Sequence, residues 1–546
     1  MNARDDELGR RAAGARVGVS LPHESAHLHV AGTAQYTDDI PEITGTVHLA
    51  LGLSPVAHGK LLGIDVARLM AEPGVLAVLT AQDIPGVNDC GAIVHDDPIL
   101  AHETVRYLGQ PVFAVVSASR DLARRAAARA KEVLSIEPLP ALLTIAQAHA
   151  AGEYAVPPMH LQRGDAQAAI ARAPHRLTDV LKVGGQEQFY LEGQISYAIP
   201  REDDAMQVYC STQHPSEMQH LVAHALGVHA HRVLVECRRM GGGFGGKESQ
   251  SAPFACIAAV AAARLRRPVK LRLDRDDDFE ITGKRHNFQY RYTVGFDGEG
   301  RVLALDAMLA ADAGWSLDLT PGVVGRALSH TDNAYWIPHF RAVGYACRTH
   351  KQSNTAFRGF GGPQGVVVME DAIERIAHQL GKDADDIRAL NFYTLGQETP
   401  YGQAVEEDNL PIVWSEMKRL GEIERRRAEI AAFNKTSPVL KRGLGLFPLK
   451  FGISFNIPHM NQAGALVHVY TDGSIRLNHG GTEMGQGLFI KVAQVVAEVF
   501  KVDIDRIRPS ATSTAEVPNT SPTAASTGSD LNGWAAFLAE IGRAHV

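Results

Sequence analysis

Five glycines fall within six residues of one loop, and this loop constrains the fold more than any other part of the chain. Residues 241–248 read GGGFGGKE, between a strand predicted at 231–236 and a helix predicted over about 249–264. Because glycine has no Cβ, a backbone made of it can lie directly against a ligand. The loop is therefore predicted to approach a bulky anionic group, with a tight strand-to-helix turn as the alternative.

The same loop satisfies Gly-x-Gly-x-x-Gly and nearly satisfies the phosphate-binding pattern that ends in Gly-Lys. A dinucleotide site also needs an acidic residue about 20 positions further on, and the nearest candidate, Asp274, lies beyond that spacing. Glu248 stands where a serine or threonine would bind magnesium, and its carboxylate would repel phosphate. A nucleotide-binding module at 241–247 is therefore the weaker alternative, which protection by ATP or NAD against thermal unfolding would support.

Three further segments share small residues and hydrogen-bonding side chains. Segments 353–364 (SNTAFRGFGGPQ) and 480–487 (GGTEMGQG) are glycine-rich, and segment 518–530 (PNTSPTAASTGSD) is a row of hydroxyl-bearing and small residues. Such a row suits hydrogen bonding to a phosphate or pterin, although alone it would be typical of a flexible linker. Simple turns do not account for so many loops of this kind, so a ligand-binding role is favoured.

Charge, hydropathy and cysteine usage exclude several classes of protein. The 546 residues carry 54 basic and 61 acidic side chains, without a basic block that could follow nucleic acid. The longest apolar stretch, at about 254–263, is far too short to span a bilayer, and the polar N-terminus predicts a cytoplasmic protein. Five cysteines are scattered without a Cys-x-x-Cys pair, which disfavours disulfides, structural zinc and iron–sulfur clusters on this chain.

The pattern of elements predicts an α+β protein with several domains. The predicted units are a flexible arm at 1–17, a compact mixed domain at 18–140, and two α+β domains at 150–433 and 434–546. Asp-Gly pairs at 297–298 and 472–473 each predict a β-hairpin. Helices are predicted over 120–134 and about 414–433, and a polar linker at 434–438.

Seven segments, taken in order, resemble one family. The chain is similar to the molybdenum hydroxylase (xanthine oxidase) family, and most of all to the molybdenum-binding large subunits of bacterial xanthine dehydrogenases. The resemblance implies an α/β-hammerhead-like domain followed by two molybdopterin-binding α+β domains, the last one incomplete. The segments that carry it are 184–192 (GGQEQFYLE), 241–248, 326–333 (RALSHTDN), 353–364, 461–466 (NQAGAL), 480–487 and 518–533.

The resemblance also implies cofactors and partners. A molybdopterin-bound molybdenum with oxo and sulfido ligands would oxidise hypoxanthine and xanthine to urate, with the oxygen derived from water and the hydride passed to the sulfido ligand. A small partner subunit with [2Fe–2S] clusters and FAD would pass the electrons to NAD. The expected assembly has two large and two small subunits.

Site residues carry over by the same resemblance. Glu248 would hydrogen-bond the purine, Arg326 would stabilise negative charge that develops on it, and Phe360 and Phe455 would hold the flat ring between them. The residues expected around the molybdenum are Gln186, Phe244, Arg358 and Ala525. The residues expected to bind the cofactor are Gln186, Phe244, Gly245, Arg358, Gln486, Thr523, Ala524, Ala525, Ser526 and Ser529. Because Glu248 and Arg326 are both present, a purine is favoured over an aldehyde.

The family's general base is a glutamate in a Gly-Glu-Pro-Pro type motif, and these 546 residues contain no such motif. A positioned base is worth roughly 10²–10⁴-fold in rate. The chain is therefore expected to be a truncated large subunit, inactive alone. A non-catalytic remnant and an aldehyde-oxidising relative are the alternatives.

Overall fold

The computed structural model describes residues 16–541. Apart from its last two residues, the arm predicted at 1–17 therefore lies outside the described residues. At the described end, the backbone N–H of Arg16 donates to the Glu498 carboxylate at 3.1 Å.

Strands and helices alternate through most of the described chain. The strands are β1 (Val47–Leu53), β2 (Gly59–Ile64), β3 (Val75–Leu79), β4 (Thr104–Val105), β5 (Pro111–Ser117), β6 (Leu134–Pro138), β7 (Met159–Arg163), β8 (His175–Val183), β9 (Ile195–Pro200), β10 (Met206–Cys210), β11 (Val233–Cys237), β12 (Val269–Arg272), β13 (Phe288–Phe296), β14 (Val302–Gly314), β15 (His339–Arg348), β16 (Ala465–Val469), β17 (Ile475–His479), β18 (Ile507–Pro509) and β19 (Thr512–Ser513). The α-helices are α1 (Ala26–Val30), α2 (Val66–Met70), α3 (Arg120–Ala127), α4 (Ala130–Val133), α5 (Ile145–Ala151), α6 (Ala166–Arg172), α7 (Pro215–Leu226), α8 (Ala252–Leu265), α9 (Arg275–Ile281), α10 (Thr320–His330), α11 (Gly362–Leu380), α12 (Ala384–Leu390), α13 (Leu410–Leu420), α14 (Ile423–Thr436), α15 (Leu488–Phe500) and α16 (Gly528–Ile541).

The largest sheet draws strands from all three predicted domains. Its order is β19-β11-β10-β9-β12-β1-β5-β3. Strand β1 pairs in parallel with β12, with Val47 opposite Val269, and β19 pairs with β11 at the other edge. The domain boundaries near 140 and 433 stay a prediction, but hydrogen bonding within this sheet crosses both of them.

A second sheet has the order β7-β15-β14-β13-β8, and two three-stranded sheets are β16-β17-β18 and β4-β2-β6. Both predicted hairpins are confirmed, because β13 pairs antiparallel with β14 and β16 pairs antiparallel with β17. The mixed helix and strand content confirms the α+β prediction.

The helix predicted over 120–134 is wrong in its second half. Helix α3 ends at Ala127, a short α4 covers Ala130–Val133, and Leu134 begins strand β6. Leu134 lies opposite Ile64 of β2 in an antiparallel pair. Strand pairing with β2 has therefore overridden the helix propensity of this alanine-rich segment.

The charged helix predicted over 414–433 is also two helices, α13 and α14. Glu422 separates them with a left-handed φ of 48°, directly after Gly421. A residue in this conformation ends a helix, because the next N–H groups no longer reach the carbonyls four residues back. Helix α14 continues to Thr436, so most of the linker predicted at 434–438 is wrong as well.

Helix α8 is the longest apolar stretch of the sequence, and it lies in the core rather than in a membrane. Its residues from Phe254 to Ala262 are at most 3% exposed and belong to the core cluster that includes strands β9–β12. Among residues 16–541, no helix combines the length and the apolar character that a bilayer crossing requires. This buried helix follows the glycine loop directly and so anchors one wall of the site.

Candidate active site

The glycine loops converge on one cavity of about 550 Å³. All of the predicted site residues except Gln186 line it. They are Glu248, Arg326, Phe360, Phe455, Phe244, Gly245, Arg358, Gln486, Thr523, Ala524, Ala525, Ser526 and Ser529. The cavity therefore brings together residues nearly 300 positions apart in the chain.

The wall of the cavity is formed by segments that follow strands or lead into helices. Strands β10 and β11 are parallel neighbours, so the segments after them emerge at the same edge of the sheet, and these segments carry Gln213 and the loop 241–248. Loop 353–364 connects β15 with α11, and loop 480–487 connects β17 with α15. Segment 523–529 leads into α16.

Gly245 lets two of these loops meet backbone to backbone. Its φ is 102°, and a Cβ at this position would lie 2.7 Å from the carbonyl carbon and oxygen of Ala356. The amide of Arg358 donates to the carbonyl of Phe244 at 2.8 Å. The glycine-rich sequence is thus needed for a close approach between loops, as well as for the wall that faces the cavity.

Gln213 ties the loops together, and sequence reasoning missed it. Its side-chain oxygen accepts from the Gly245 amide at 2.9 Å, and its side-chain nitrogen donates to the Thr523 carbonyl at 3.0 Å. The Thr523 amide donates back to the Gln213 carbonyl at 2.8 Å. The only signal in the sequence is a polar residue shortly after a strand, which many surface loops also show.

Replacing Gln213 with alanine is expected to lower the free energy of unfolding by about 1–3 kcal/mol, because two buried backbone groups lose their partners. It should also lower the molybdopterin content of the purified protein. Gln219→Ala is the matched control, since the buried Gln219 bonds the carbonyls of Ala230 and Val233, away from the cavity. Urea unfolding and metal analysis of both variants check this, and an unchanged cofactor content in Gln213→Ala would contradict it.

Segment 523–529 presents free hydrogen-bond donors to the cavity. Within residues 16–541 the amides of Ala524, Ala525 and Ser526 have no acceptor, and neither the Ser526 nor the Ser529 hydroxyl has a protein partner. Ala525 and Ser526 adopt left-handed φ values of 54° and 60°, and α16 begins two residues later. Free amides before a helix N-terminus favour an anion, so this wall fits the phosphate-bearing pterin that the resemblance implies.

Gln486 lines the cavity with both ends of its amide already engaged. Its nitrogen donates to the Thr482 carbonyl at 2.9 Å, and its oxygen accepts from the Met484 amide at 2.7 Å. The buried Glu483 accepts from the amides of Gly485, Gly487 and Phe489 at 2.9–3.0 Å. Both side chains hold the shape of loop 480–487, which sequence reasoning did not anticipate.

Gln186 is exposed to solvent and does not line the cavity. Its side-chain oxygen accepts from Arg285 at 2.6 Å, and Arg285 donates to the Arg358 carbonyl at 2.8 Å. The Arg285 guanidinium also stacks on Phe357 at 3.9 Å from the ring centre. Gln186 is therefore linked to the cavity through Arg285, while its role beside the metal stays a prediction.

Glu248 faces the cavity as a buried acid without a partner. It is 7% exposed, and no residue of the described chain hydrogen-bonds its carboxyl group. Burial, and after it the charge of Asp318, raises the pKa of Glu248 to about 8. At neutral pH the group is therefore mainly protonated and can donate a hydrogen bond.

Arg326 lies in the same cavity but is bound to the wall. Its guanidinium donates to the carbonyls of Gly452 and Ser454, and it is 5% exposed. Burial lowers its pKa, yet an arginine stays charged at neutral pH. The cavity thus combines a neutral acid, a fixed cation and two partly buried aromatic rings, Phe360 and Phe455.

Lys247 is the residue on which the nucleotide-binding alternative depends, and it is fully buried. Its ammonium group donates to the Glu192 carbonyl at 2.7 Å and to the Ser211 hydroxyl at 2.8 Å, with the Glu192 carboxylate 3.6 Å away. Such a lysine is not available to a phosphate. The glycine loop therefore lacks the cation that a phosphate-binding loop uses.

Three segments of the chain match known domain families. Residues 31–134 match "Aldehyde oxidase and xanthine dehydrogenase, a/b hammerhead domain", and residues 148–392 and 416–540 both match "Molybdopterin cofactor-binding domain". The hammerhead and cofactor-domain predictions are confirmed by these matches.

Relatives of known name are similar over nearly the whole chain. A xanthine dehydrogenase of Drosophila pseudoobscura pseudoobscura is 44% identical over 95% of the chain, and a xanthine dehydrogenase/oxidase of Felis catus is 43% identical over 96%. The nicotinate hydroxylase hnxS of Emericella nidulans is 42% identical over 95%. The chain spans 39% of the length of each of these three relatives.

Solved structures show the same fold. The aldehyde oxidoreductase of Desulfovibrio gigas superposes with a TM-score of 0.84 at 25% identity, over 97% of this chain and 60% of that one. The quinoline 2-oxidoreductase of Pseudomonas putida 86 superposes with a TM-score of 0.85 at 24% identity, over 96% of this chain and 70% of that one. With its hammerhead and molybdopterin-binding domains and its xanthine dehydrogenase relatives, the chain belongs to the xanthine dehydrogenase family of molybdenum hydroxylases.

Proposed function

We propose that this chain is the molybdopterin-binding part of an enzyme that oxidises hypoxanthine and xanthine to urate. The observation that carries the proposal is the neutral Glu248 carboxyl group, buried and without a protein partner, in one cavity with Arg326. The similarity to xanthine dehydrogenases supports the same substrate class.

One set of cavity residues would bind the cofactor, and another set would bind the substrate. When bound, the cofactor would supply molybdenum as the oxidising centre of the reaction. The backbone N–H groups of residues 524–526 would hydrogen-bond the anionic phosphate of the cofactor, since they have no acceptor within the described chain. Gly245 would keep the wall free of side-chain bulk beside it.

The purine would be recognised by a hydrogen-bond donor, Glu248, and by a positive charge, Arg326. The neutral Glu248 donates to a lone pair of the ring or of its carbonyl oxygen. The Arg326 cation lowers the energy of negative charge that develops on the ring during oxidation. Phe360 and Phe455 restrain the flat substrate and reduce the entropy cost of reaction.

We further propose that the electrons leave through a small partner subunit with [2Fe–2S] clusters and FAD, and that NAD is the final acceptor. The five cysteines of the chain are free thiols, each buried in the protein interior. An assembly of two large and two small subunits accords with the resemblance.

An aldehyde is the second candidate substrate, because the aldehyde oxidoreductase of Desulfovibrio gigas shares the fold. A simple aldehyde offers one carbonyl oxygen, whereas a purine offers several acceptors around a flat ring. The pair Glu248 and Arg326 therefore favours the purine.

Turnover by the holoenzyme with its partner subunit tests the proposal. Glu248→Ala is expected to lower kcat/KM for xanthine by about 10–100-fold, because a buried hydrogen bond to the substrate is lost. Glu248→Gln keeps a donor and should retain more activity. Both changes should lower kcat/KM for an aromatic aldehyde by a smaller factor than they lower it for xanthine. Preference for the aldehyde in the unmodified enzyme would contradict the proposal.

A further inference from the structure

The segment that carries Phe455 has no regular secondary structure of its own. Residues 441–457 form neither helix nor strand, and within this stretch Phe451 and Phe455 line the active cavity. A backbone without helix or sheet hydrogen bonds must satisfy its polar groups elsewhere. Contacts with other segments therefore decide where Phe455 lies.

Asn461 binds the main chain of Phe455 at both of its polar groups. Its side-chain oxygen accepts from the Phe455 amide at 3.0 Å, and its side-chain nitrogen donates to the Phe455 carbonyl at 3.0 Å. The two bonds together fix the orientation of the Asn461 amide, because the reverse orientation would place donor against donor and acceptor against acceptor. One side chain thus sets both the position and the rotation of the Phe455 backbone.

The residue before Phe455 is held from two further directions. The Ser454 amide donates to the Ala525 carbonyl at 2.9 Å, and the Ser454 carbonyl accepts from the guanidinium of Arg326. Ser454 has a left-handed φ of 73°, which a residue with a side chain keeps only when its surroundings hold it there. These contacts fix the direction in which the chain enters Phe455.

Asn461 is itself anchored to segment 518–530, which supplies the cavity with free amides. The Gln462 amide donates to the Ser521 hydroxyl at 3.0 Å, and the Ser521 amide donates back to the Gln462 carbonyl at 3.2 Å. The Ser521 hydroxyl also donates to the carbonyl of Met460. The residues on both sides of Asn461 are thus bound to Ser521, so the position of Asn461 follows that of segment 518–530.

We propose that Asn461 is a positioning residue for Phe455: it fixes the backbone from which the ring extends and aligns it with segment 518–530. A ring held in one position restrains a flat ligand at little entropy cost, whereas a loosely held ring must be ordered by each ligand that binds. The part that concerns a flat substrate rests on the proposed function. The part that concerns the position of the ring does not.

The position of the Phe455 ring can be observed without turnover. The holoenzyme is labelled with para-fluorophenylalanine, and the Phe455 signal in the ¹⁹F NMR spectrum is the one lost in Phe455→Leu. We expect one narrow signal in the unmodified protein and a shifted, broadened or split signal in Asn461→Ala, because the ring then samples several environments. An unchanged Phe455 signal in folded Asn461→Ala would overturn the proposal.

Asn434→Ala is the matched control. Asn434 binds the main chain of Arg442 in the same manner, with its side-chain oxygen accepting from the amide at 2.8 Å and its side-chain nitrogen donating to the carbonyl at 2.9 Å. Neither of these two residues lines the cavity. Asn434→Ala should therefore leave the Phe455 signal in place, and an equal change of that signal in both variants would count against a specific role of Asn461.

Asn461→Asp replaces Asn461→Ala if the alanine variant does not fold. It keeps the shape of the side chain and the acceptor for the Phe455 amide, but it places an oxygen instead of a donor against the Phe455 carbonyl. The Phe455 signal should change in this variant as well. A signal that stays at its original position and width would refute the positioning role.

Kinetics with xanthine separate a positioning role from a general loss of structure. Asn461→Ala should raise KM by about 5–20-fold and lower kcat by a smaller factor, because a restrained ring contributes to binding in the ground state and in the transition state alike. In a Phe455→Ala background the same change should alter KM by less than about twofold, since Asn461 acts through a ring that is already absent. Equal factors in the two backgrounds would overturn the proposal.

The two measurements also separate this proposal from the proposed function. If the holoenzyme does not oxidise purines but the Phe455 signal changes in Asn461→Ala, the proposed function fails and the positioning role stands. If purines are oxidised and the signal does not change, the positioning role alone fails.

Discussion

Replacing Gly245 with alanine is expected to lower the free energy of unfolding by about 2–5 kcal/mol and to abolish molybdopterin binding. The left-handed φ of 102° is costly for any residue with a side chain, and the new Cβ would lie 2.7 Å from the backbone of Ala356. Since the obstacle is main chain rather than a flexible side chain, the two loops must separate. Chemical unfolding and the molybdenum content of the purified variant measure both effects.

Gly485→Ala is the control for this expectation. Gly485 has a similar φ of 100°, but a Cβ there would meet nothing within 4 Å. It should therefore show the cost of the backbone conformation alone, about 1–2 kcal/mol. Equal losses in the two variants would show that loops 241–248 and 353–364 can move apart at little cost, against the expectation.

Replacing Lys247 with methionine should destabilise the protein by about 3–5 kcal/mol, because a buried charge pair loses one partner. Burial lowers the pKa of Lys247, and the neighbouring Glu192 carboxylate opposes that change. In the variant, Glu192 keeps the Gly241 amide at 2.8 Å and the Ser211 hydroxyl at 2.6 Å, but its charge is unbalanced. Denaturant unfolding of the variant measures the loss.

Adding Glu192→Gln to Lys247→Met should recover part of the lost stability, since the remaining charge is removed. The same proteins also test the alternative that residues 241–247 form a nucleotide-binding module. If Lys247 has a structural role, magnesium-ATP will not raise the melting temperature of the unmodified protein. If magnesium-ATP raised the melting temperature of the unmodified protein but not that of Lys247→Met, Lys247 would bind nucleotide, and its purely structural role in the buried ion pair would be contradicted.

Much of the candidate site could be predicted from local sequence. The loops 241–248, 353–364 and 480–487 stand out because glycine and small polar residues interrupt the helix and strand periods, and all three reach the cavity. The hairpins at Asp297 and Asp472 follow from turn chemistry over two residues. These features depend on neighbours in the chain, which the sequence displays directly.

Residues that act across long chain distances could not be predicted. Gln213 hydrogen-bonds Thr523, which lies 310 positions further along the chain, and also Gly245. Nothing in the neighbouring sequence distinguishes it from a surface glutamine. Burial raises the pKa of Glu248, and the charge of Asp318, which lies in a different loop, adds to that rise. Gln486 lines the cavity as predicted, and both ends of its amide also bond within its own loop, so its contact with the cofactor stays a prediction.

By itself, the sequence determined the family, the α+β class, the glycine loops and the residue types of the cavity, because each of these is written in local patterns and ordered motifs. The tertiary structure alone decided that one sheet joins strands from all three predicted domains, that Lys247 is buried and that the pKa of Glu248 is raised to about 8. The physical reason is that strand pairing, desolvation and the field of a distant carboxylate depend on which groups meet in space. A pKa near 8 for Glu248 exists only once folding has removed water from it and placed Asp318 behind it.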